Sequence, residues 1–112
     1  MNLNNIHNVY FLGIGGIGMS ALARYFKFIN KEVSGYDKTR TPLTEELENL
    51  DINIHYTDAV SNIAEAYRKK ENTLVVYTPA LPDDHEELNY FWDNGFSVKK
   101  RSEVLGIILT KR

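Results

Sequence analysis

The sequence predicts a doubly wound α/β domain, with five parallel strands in the order 3-2-1-4-5 between two layers of helices. Three observations carry that expectation. The runs VYFL at 9–12 and LVVY at 74–77 are short and apolar at every position, as in strands buried on both faces. Segments with helical periodicity follow such runs. Strand and helix then alternate along the chain, which parallel strands joined by right-handed crossovers accommodate.

Taken in order, the first strand stops at a glycine. Over 17–29, Leu22, Tyr25, Phe26 and Ile29 keep the i, i+3, i+4, i+7 spacing of an apolar helix face, and Ser20, Arg24, Lys27 and Lys31 are expected opposite. EVSGY at 32–36 reads as a second strand ending at Asp37. Thr41 as N-cap and Pro42 at the first helical position open a helix to about Leu50. Ile52 and Ile54 mark a short third strand, and the spacing of Ile63, Ala64 and Tyr67 predicts a weakly patterned helix after it. Thr78-Pro79 ends the fourth strand. A helix is expected over 84–94 with Leu88, Phe91 and Trp92 on one face, then a strand over 96–99 and a closing helix over 102–109.

A chain of 112 residues suits one domain, spanning 1–112, with one modest core. Its net charge of −2 argues against a nucleic-acid or anionic-membrane partner, which would favour a basic face. The absence of cysteine excludes disulfides and thiolate metal sites. No apolar run approaches the roughly 18 residues of a membrane span. MNLNNIHNV at the start lacks the pattern of a secretory signal, so a cytoplasmic location is expected.

Chemistry concentrates in GIGGIG at 13–18. Gly13, Gly15 and Gly18 fit G-x-G-x-x-G between a strand and a helix, the context in which that pattern binds phosphate. On this reading Gly13 permits the turn, Gly15 lets a pyrophosphate approach the backbone, and Gly18 lets helix pack on strand. A side chain at Gly15 would then displace the ligand without disturbing the fold. The unpaired amides and positive dipole end of the helix favour an anion. Asp37, 19 residues after Gly18, stands where a dinucleotide site puts the carboxylate that binds a ribose hydroxyl. NAD and a UDP-type ligand both remain open on these residues.

Elsewhere the readings are structural. Asp83, Asp84, Glu86 and Glu87 complement a helix dipole, and Arg68-Lys69-Lys70 forms a solvated helix end. His7, His55 and His85 lack metal-ligand spacing and are expected to be satisfied or exposed. Lys99-Lys100-Arg101 differs in lying near the presumed binding edge.

GIGGIGMSALA, SGYD, YTPALPDDHEELNYF and KKRSEVL together resemble the N-terminal domain of the ATP-dependent Mur ligases of peptidoglycan synthesis, specifically those joining L-alanine to UDP-N-acetylmuramate. The resemblance covers almost the whole chain. It implies a Rossmann-like domain that binds the UDP moiety of the substrate. Gly13, Ile14, Gly15, Gly16, Ile17 and Gly18, with Met19 and Ser20, would hold the diphosphate. Asp37 would face the ribose or uracil, Thr78, Pro79, Ala80 and Leu81 would line the nucleotide pocket, and Arg101 would supply positive charge. Tyr77-Thr78 stands where many relatives carry Ser-Ser; Thr57-Asp58 stands where they often carry Gly-His, and Asp58 reads as a helix cap.

The resemblance further implies that the whole enzyme uses ATP and Mg2+ to convert the substrate carboxylate into an acyl phosphate, which the amine of L-alanine then attacks. No G-x-x-x-x-G-K-[ST] loop for ATP occurs here. The family's central and C-terminal domains are thus expected elsewhere, and this part is expected to bind substrate without catalysis of its own. An NAD-binding regulatory or dehydrogenase module is the alternative.

Overall fold

Strands β1 (Asn8–Leu12), β2 (Glu32–Tyr36), β3 (Asn53–His55), β4 (Thr73–Tyr77) and β5 (Ser97–Lys100) form one sheet in the order β3-β2-β1-β4-β5. Every neighbouring pair is parallel. The structure, a computed structural model, describes residues 2–110. Leu12 pairs with Tyr36 on one side and Tyr77 on the other, so the three central strands end level and the loops leaving them share one edge.

The expected doubly wound architecture follows from period-two alternation along buried strands. Val9, Phe11, Leu74 and Val76 face α1 (Ile17–Phe28), α2 (Pro42–Glu48) and α4 (Arg101–Thr110), meeting Leu22, Phe26, Leu47 and Val104. Tyr10, Leu12 and Val75 face the other way, against Leu88 and Phe91 of α3 (Glu86–Asp93) and against Ile63 and Tyr67. Each fully buried Leu or Phe contributes about 1.5–3 kcal/mol relative to an exposed one. Thr41 and Thr44 start α2 with a reciprocal capping box. Among the described residues no helix is long and apolar enough to cross a membrane.

The structure departs from the sequence reading in four places. The helix expected around Ile63 to Tyr67 is replaced by 3-10 turns at Val60–Asn62, Glu65–Arg68 and Lys70–Asn72. Arg68 takes two of the carbonyls that helix would need, donating Nε to Ile63 O at 2.9 Å and Nη2 to Val60 O at 2.6 Å. Its guanidinium also lies 5.5 Å from the Tyr90 ring centre, so it is not the solvated helix end expected. The buried face of α1 is rotated: Ser20 is buried, because its hydroxyl bonds back to Ile17 O at 2.9 Å, whereas Tyr25 is 38% exposed. Trp92, expected among the core aromatics, is 48% exposed and packs edge-on against Tyr77.

The fourth departure is Glu87, which turns inward and is fully buried while Glu86 stays in solvent. It accepts from Tyr10 Oη at 2.6 Å and Ala59 N at 3.2 Å, and pairs with His55 Nε2 at 2.7 Å. An unpaired buried carboxylate would cost several kcal/mol; three partners offset that and tie β1, β3 and α3 together. His55 is thereby satisfied.

Burial beside this network also raises tyrosine pKa values. Tyr67 is pushed up to about 12, chiefly by desolvation and then by Glu32. Tyr10 is driven higher still by burial and then by Glu87. Both folded-state values exceed the ordinary 10.0, so the stability these tyrosines contribute is complete below pH 10 and is lost as pH rises through their folded values. Above about pH 10, denaturant-unfolding free energy falls by about 1.4 kcal/mol per pH unit for each tyrosine that ionises only on unfolding. Tyr10→Phe should remove one such increment from the slope; an unchanged slope contradicts the burial of that hydroxyl.

Candidate functional site

Loops leaving the level ends of β1, β2 and β4 enclose a cavity of about 560 Å³. Gly13, Gly16 and Met19 form its β1–α1 wall. Tyr36, Asp37 and Lys38 come from the end of β2, Thr78, Ala80, Leu81 and Pro82 from the end of β4, and Asp58 and His85 complete it.

The glycine loop is not a uniform row of free amides. Gly13 N and Ile14 N both donate to Tyr36 O, at 2.8 and 3.0 Å, and Gly15 N donates to Asp37 Oδ2 at 2.7 Å. Gly16 N reaches Gly13 O at 3.4 Å. Helix α1 then starts at Gly16 without any side-chain cap. The next amides, of Ile17, Gly18 and Met19, have no acceptor among the described residues.

The three motif glycines are sterically required, but by the chain's own side chains, and the additional Gly16 is the open one. A Cβ at Gly15 would lie 2.8 Å from Asp37 Oδ2 and 2.9 Å from Thr44 Cγ2, so the space is filled by this chain and the expectation that a side chain there would spare the fold is corrected. A Cβ at Gly16 would meet nothing closer than 3.8 Å. Gly18, expected to admit the strand, instead admits Arg101, whose Nε would lie 2.5 Å from an added Cβ. Gly13 adopts a φ of 94° and is roofed by the Thr78 methyl.

The starts of α2 and α3 at this edge are filled by the protein's own side chains. Thr41 caps α2. Asp58 caps α3, accepting from Glu86 N at 2.8 Å and Glu87 N at 3.0 Å, so it caps a helix far along the chain. Glu103 folds back to accept from Lys100 N at 2.9 Å ahead of α4. His85 accepts from Leu88 N through Nδ1 at 3.3 Å, and Nδ1 lies 3.4 Å from Asp58 Oδ1. Its ring meets Tyr36 edge-on at 4.9 Å. Asp37 and Asp58 each accept two backbone amides, while Lys38 brings a cation to the lining and α1 the positive end of its dipole.

Of the residues expected at the site, Gly13, Gly16, Met19, Asp37, Thr78, Ala80 and Leu81 line the cavity. Ile14 is fully buried in the core, Ser20 is buried with its hydroxyl committed to Ile17 O, and Ile17 is 83% exposed. Gly15 lies behind Asp37, and Gly18 lies beneath the exposed Arg101. Pro79 is exposed and outside the lining. Sequence reasoning missed Tyr36, Lys38, Asp58, Pro82 and His85 as wall residues; the end of β2 and the residue ahead of α3 were the available signals.

Comparison with known proteins agrees with this architecture. The Mur ligase family, catalytic domain, matches residues 8–112. UDP-N-acetylmuramate–L-alanine ligase of Flavobacterium psychrophilum is 64% identical over 96% of this chain, and that of Cytophaga hutchinsonii 56% over 96%. The chain spans about a quarter of the length of those relatives, 24% and 23% respectively. The crystal structure of UDP-N-acetylmuramate–alanine ligase from Thermotoga maritima superposes with a TM-score of 0.80 at 29% identity, covering 91% of this chain and 22% of that one. A sheet of order 3-2-1-4-5, a glycine loop opening α1 and a match over 8–112 lead to one conclusion: the chain belongs to the Mur ligase family.

Proposed function

We propose that this chain is the UDP-substrate-binding part of a UDP-N-acetylmuramate–L-alanine ligase. One observation carries the reading. The amides of Ile17, Gly18 and Met19 are unfilled beside a 560 Å³ cavity, while the starts of α2 and α3 at that edge are capped from within. Such a volume suits a nucleotide-sized ligand. In this reading the diphosphate bonds to those three amides, where the α1 dipole favours negative charge. Lys38 and Arg101 add countercharge, and the nucleoside lies toward Tyr36, Leu81 and Pro82.

The contribution to the reaction is positioning. Anchoring UDP fixes where the distant carboxylate of the amino sugar stands, so an amine held by the rest of the enzyme meets it in reacting geometry. Asp37 and Asp58 do not fit a Mg2+ site, since each is already committed to two backbone amides. Among the described residues no cluster of three or more acids and histidines could hold a metal ion. In this reading ATP and Mg2+ act with the remaining length of the relatives, of which this chain spans about a quarter.

Calorimetric titration of this chain with UDP-N-acetylmuramate should give saturable binding, and NAD should give none; the reverse result overturns the proposal. Gly16→Val should weaken nucleotide binding at least about tenfold, because its side chain enters the ligand's space, at a cost of about 1 kcal/mol in helix capping. Gly15→Val should lower the melting temperature as well, since it displaces Asp37 and Thr44. Equal effects of the two variants on stability would contradict the assignment of Gly16 as the ligand-facing glycine.

A further inference from the structure

The residue that the sequence offers as a ribose ligand is held by the protein itself. Asp37 Oδ2 accepts from Gly15 N at 2.7 Å, and Oδ1 accepts from Thr39 N at 3.0 Å. Its own amide donates to His55 O at 3.2 Å, so β3 also fixes it. The carboxylate is packed so closely that a Cβ on Gly15 would lie 3.1 Å from Asp37 Cγ and 2.9 Å from Thr44 Cγ2. Thr44 cannot give way, being fully buried and locked in the capping box of α2. Gly13 N and Ile14 N turn to Tyr36 O immediately before, so successive loop amides point at the end of β2.

We propose that Asp37 is a positioning residue for the glycine loop and not a reader of the ribose. Its charge holds Gly15 N inward. That rotation leaves the amides of Ile17, Gly18 and Met19 as the set that meets a diphosphate, and it holds a negative charge where a second anion would otherwise approach Gly15. This deepens the nucleotide-binding reading above and rests on it only for the identity of the ligand. The consequence is specific: Asp37 governs affinity for the phosphates and leaves discrimination at the ribose untouched.

The test uses this chain with UDP, uridine and 2′-deoxy-UDP as calorimetric ligands, and amide hydrogen exchange at Gly15 without ligand. In Asp37→Ala, exchange at Gly15 should quicken about tenfold, as expected for loss of a charge-assisted hydrogen bond. UDP affinity should fall by about tenfold and uridine affinity by less than about twofold. The ratio of UDP to 2′-deoxy-UDP affinity should stay at its wild-type value. Asp37→Asn keeps an acceptor for Gly15 N and should recover part of the UDP affinity. Collapse of the UDP to 2′-deoxy-UDP ratio in both variants would make Asp37 a ribose reader and overturn the proposal. Equal losses for UDP and uridine would reduce it to a general structural role and also overturn it. If the wild-type chain bound no UDP, the nucleotide reading would fail, and Gly15 exchange alone would still decide whether the latch exists.

Discussion

Gly13, Ile14 and Gly15 donate their amides in succession to the end of β2, two to the Tyr36 carbonyl and one to the Asp37 carboxylate. The rest of the carboxyl edge is built around that turn. Level strand ends bring the two loops together, since Leu12 and Tyr36 are register partners. Because the loop's first amides are spent, α1 begins with its next amides unfilled and with no side-chain cap. Burying them without partners would be costly, so they remain at the open side of the cavity, where solvent or an anion can meet them. The glycines follow from the same constraint: Gly15 is needed because a carboxylate presses on it, whereas nothing in the chain presses on Gly16.

The opposite wall rests on buried charge. Glu87 is enclosed by donors from β1, β3 and the loop after β3, and the same loop delivers Asp58 to the start of α3. Asp58 and His85 between them fill the amides of Glu86, Glu87 and Leu88 at the start of α3. Asp58 and Glu87 thus each accept hydrogen bonds from more than one donor.

Much of the fold was legible because it depends on local rules. Strands buried on both faces read as continuous apolar runs, and Thr41-Pro42 announced α2 through capping chemistry that needs no tertiary context. The misreadings share a different cause. The segment around Ile63 to Tyr67 has helical spacing, yet Arg68 claims its carbonyls by a contact that spacing does not encode. Glu87 looked like one of several dipole-complementing acids; its burial depends on Tyr10, 77 residues away. The site was legible as a glycine loop at a strand end, but which glycine is left open depends on Asp37, Thr44, Thr78 and Arg101 arriving from other elements. Membership of the Mur ligase family accounts for the pattern as a whole, and the geometry assigns separate tasks within it.

The central claim, that the anion seat comprises the amides of α1's first turn and excludes those of the preceding loop, is tested most directly by amide NMR shifts during titration with UDP. The account predicts the largest changes at Ile17, Gly18 and Met19, with Gly13, Ile14 and Gly15 nearly unmoved. Dominant changes at Gly13 to Gly15, or at Glu86 and Glu87 where α3 begins, would contradict it.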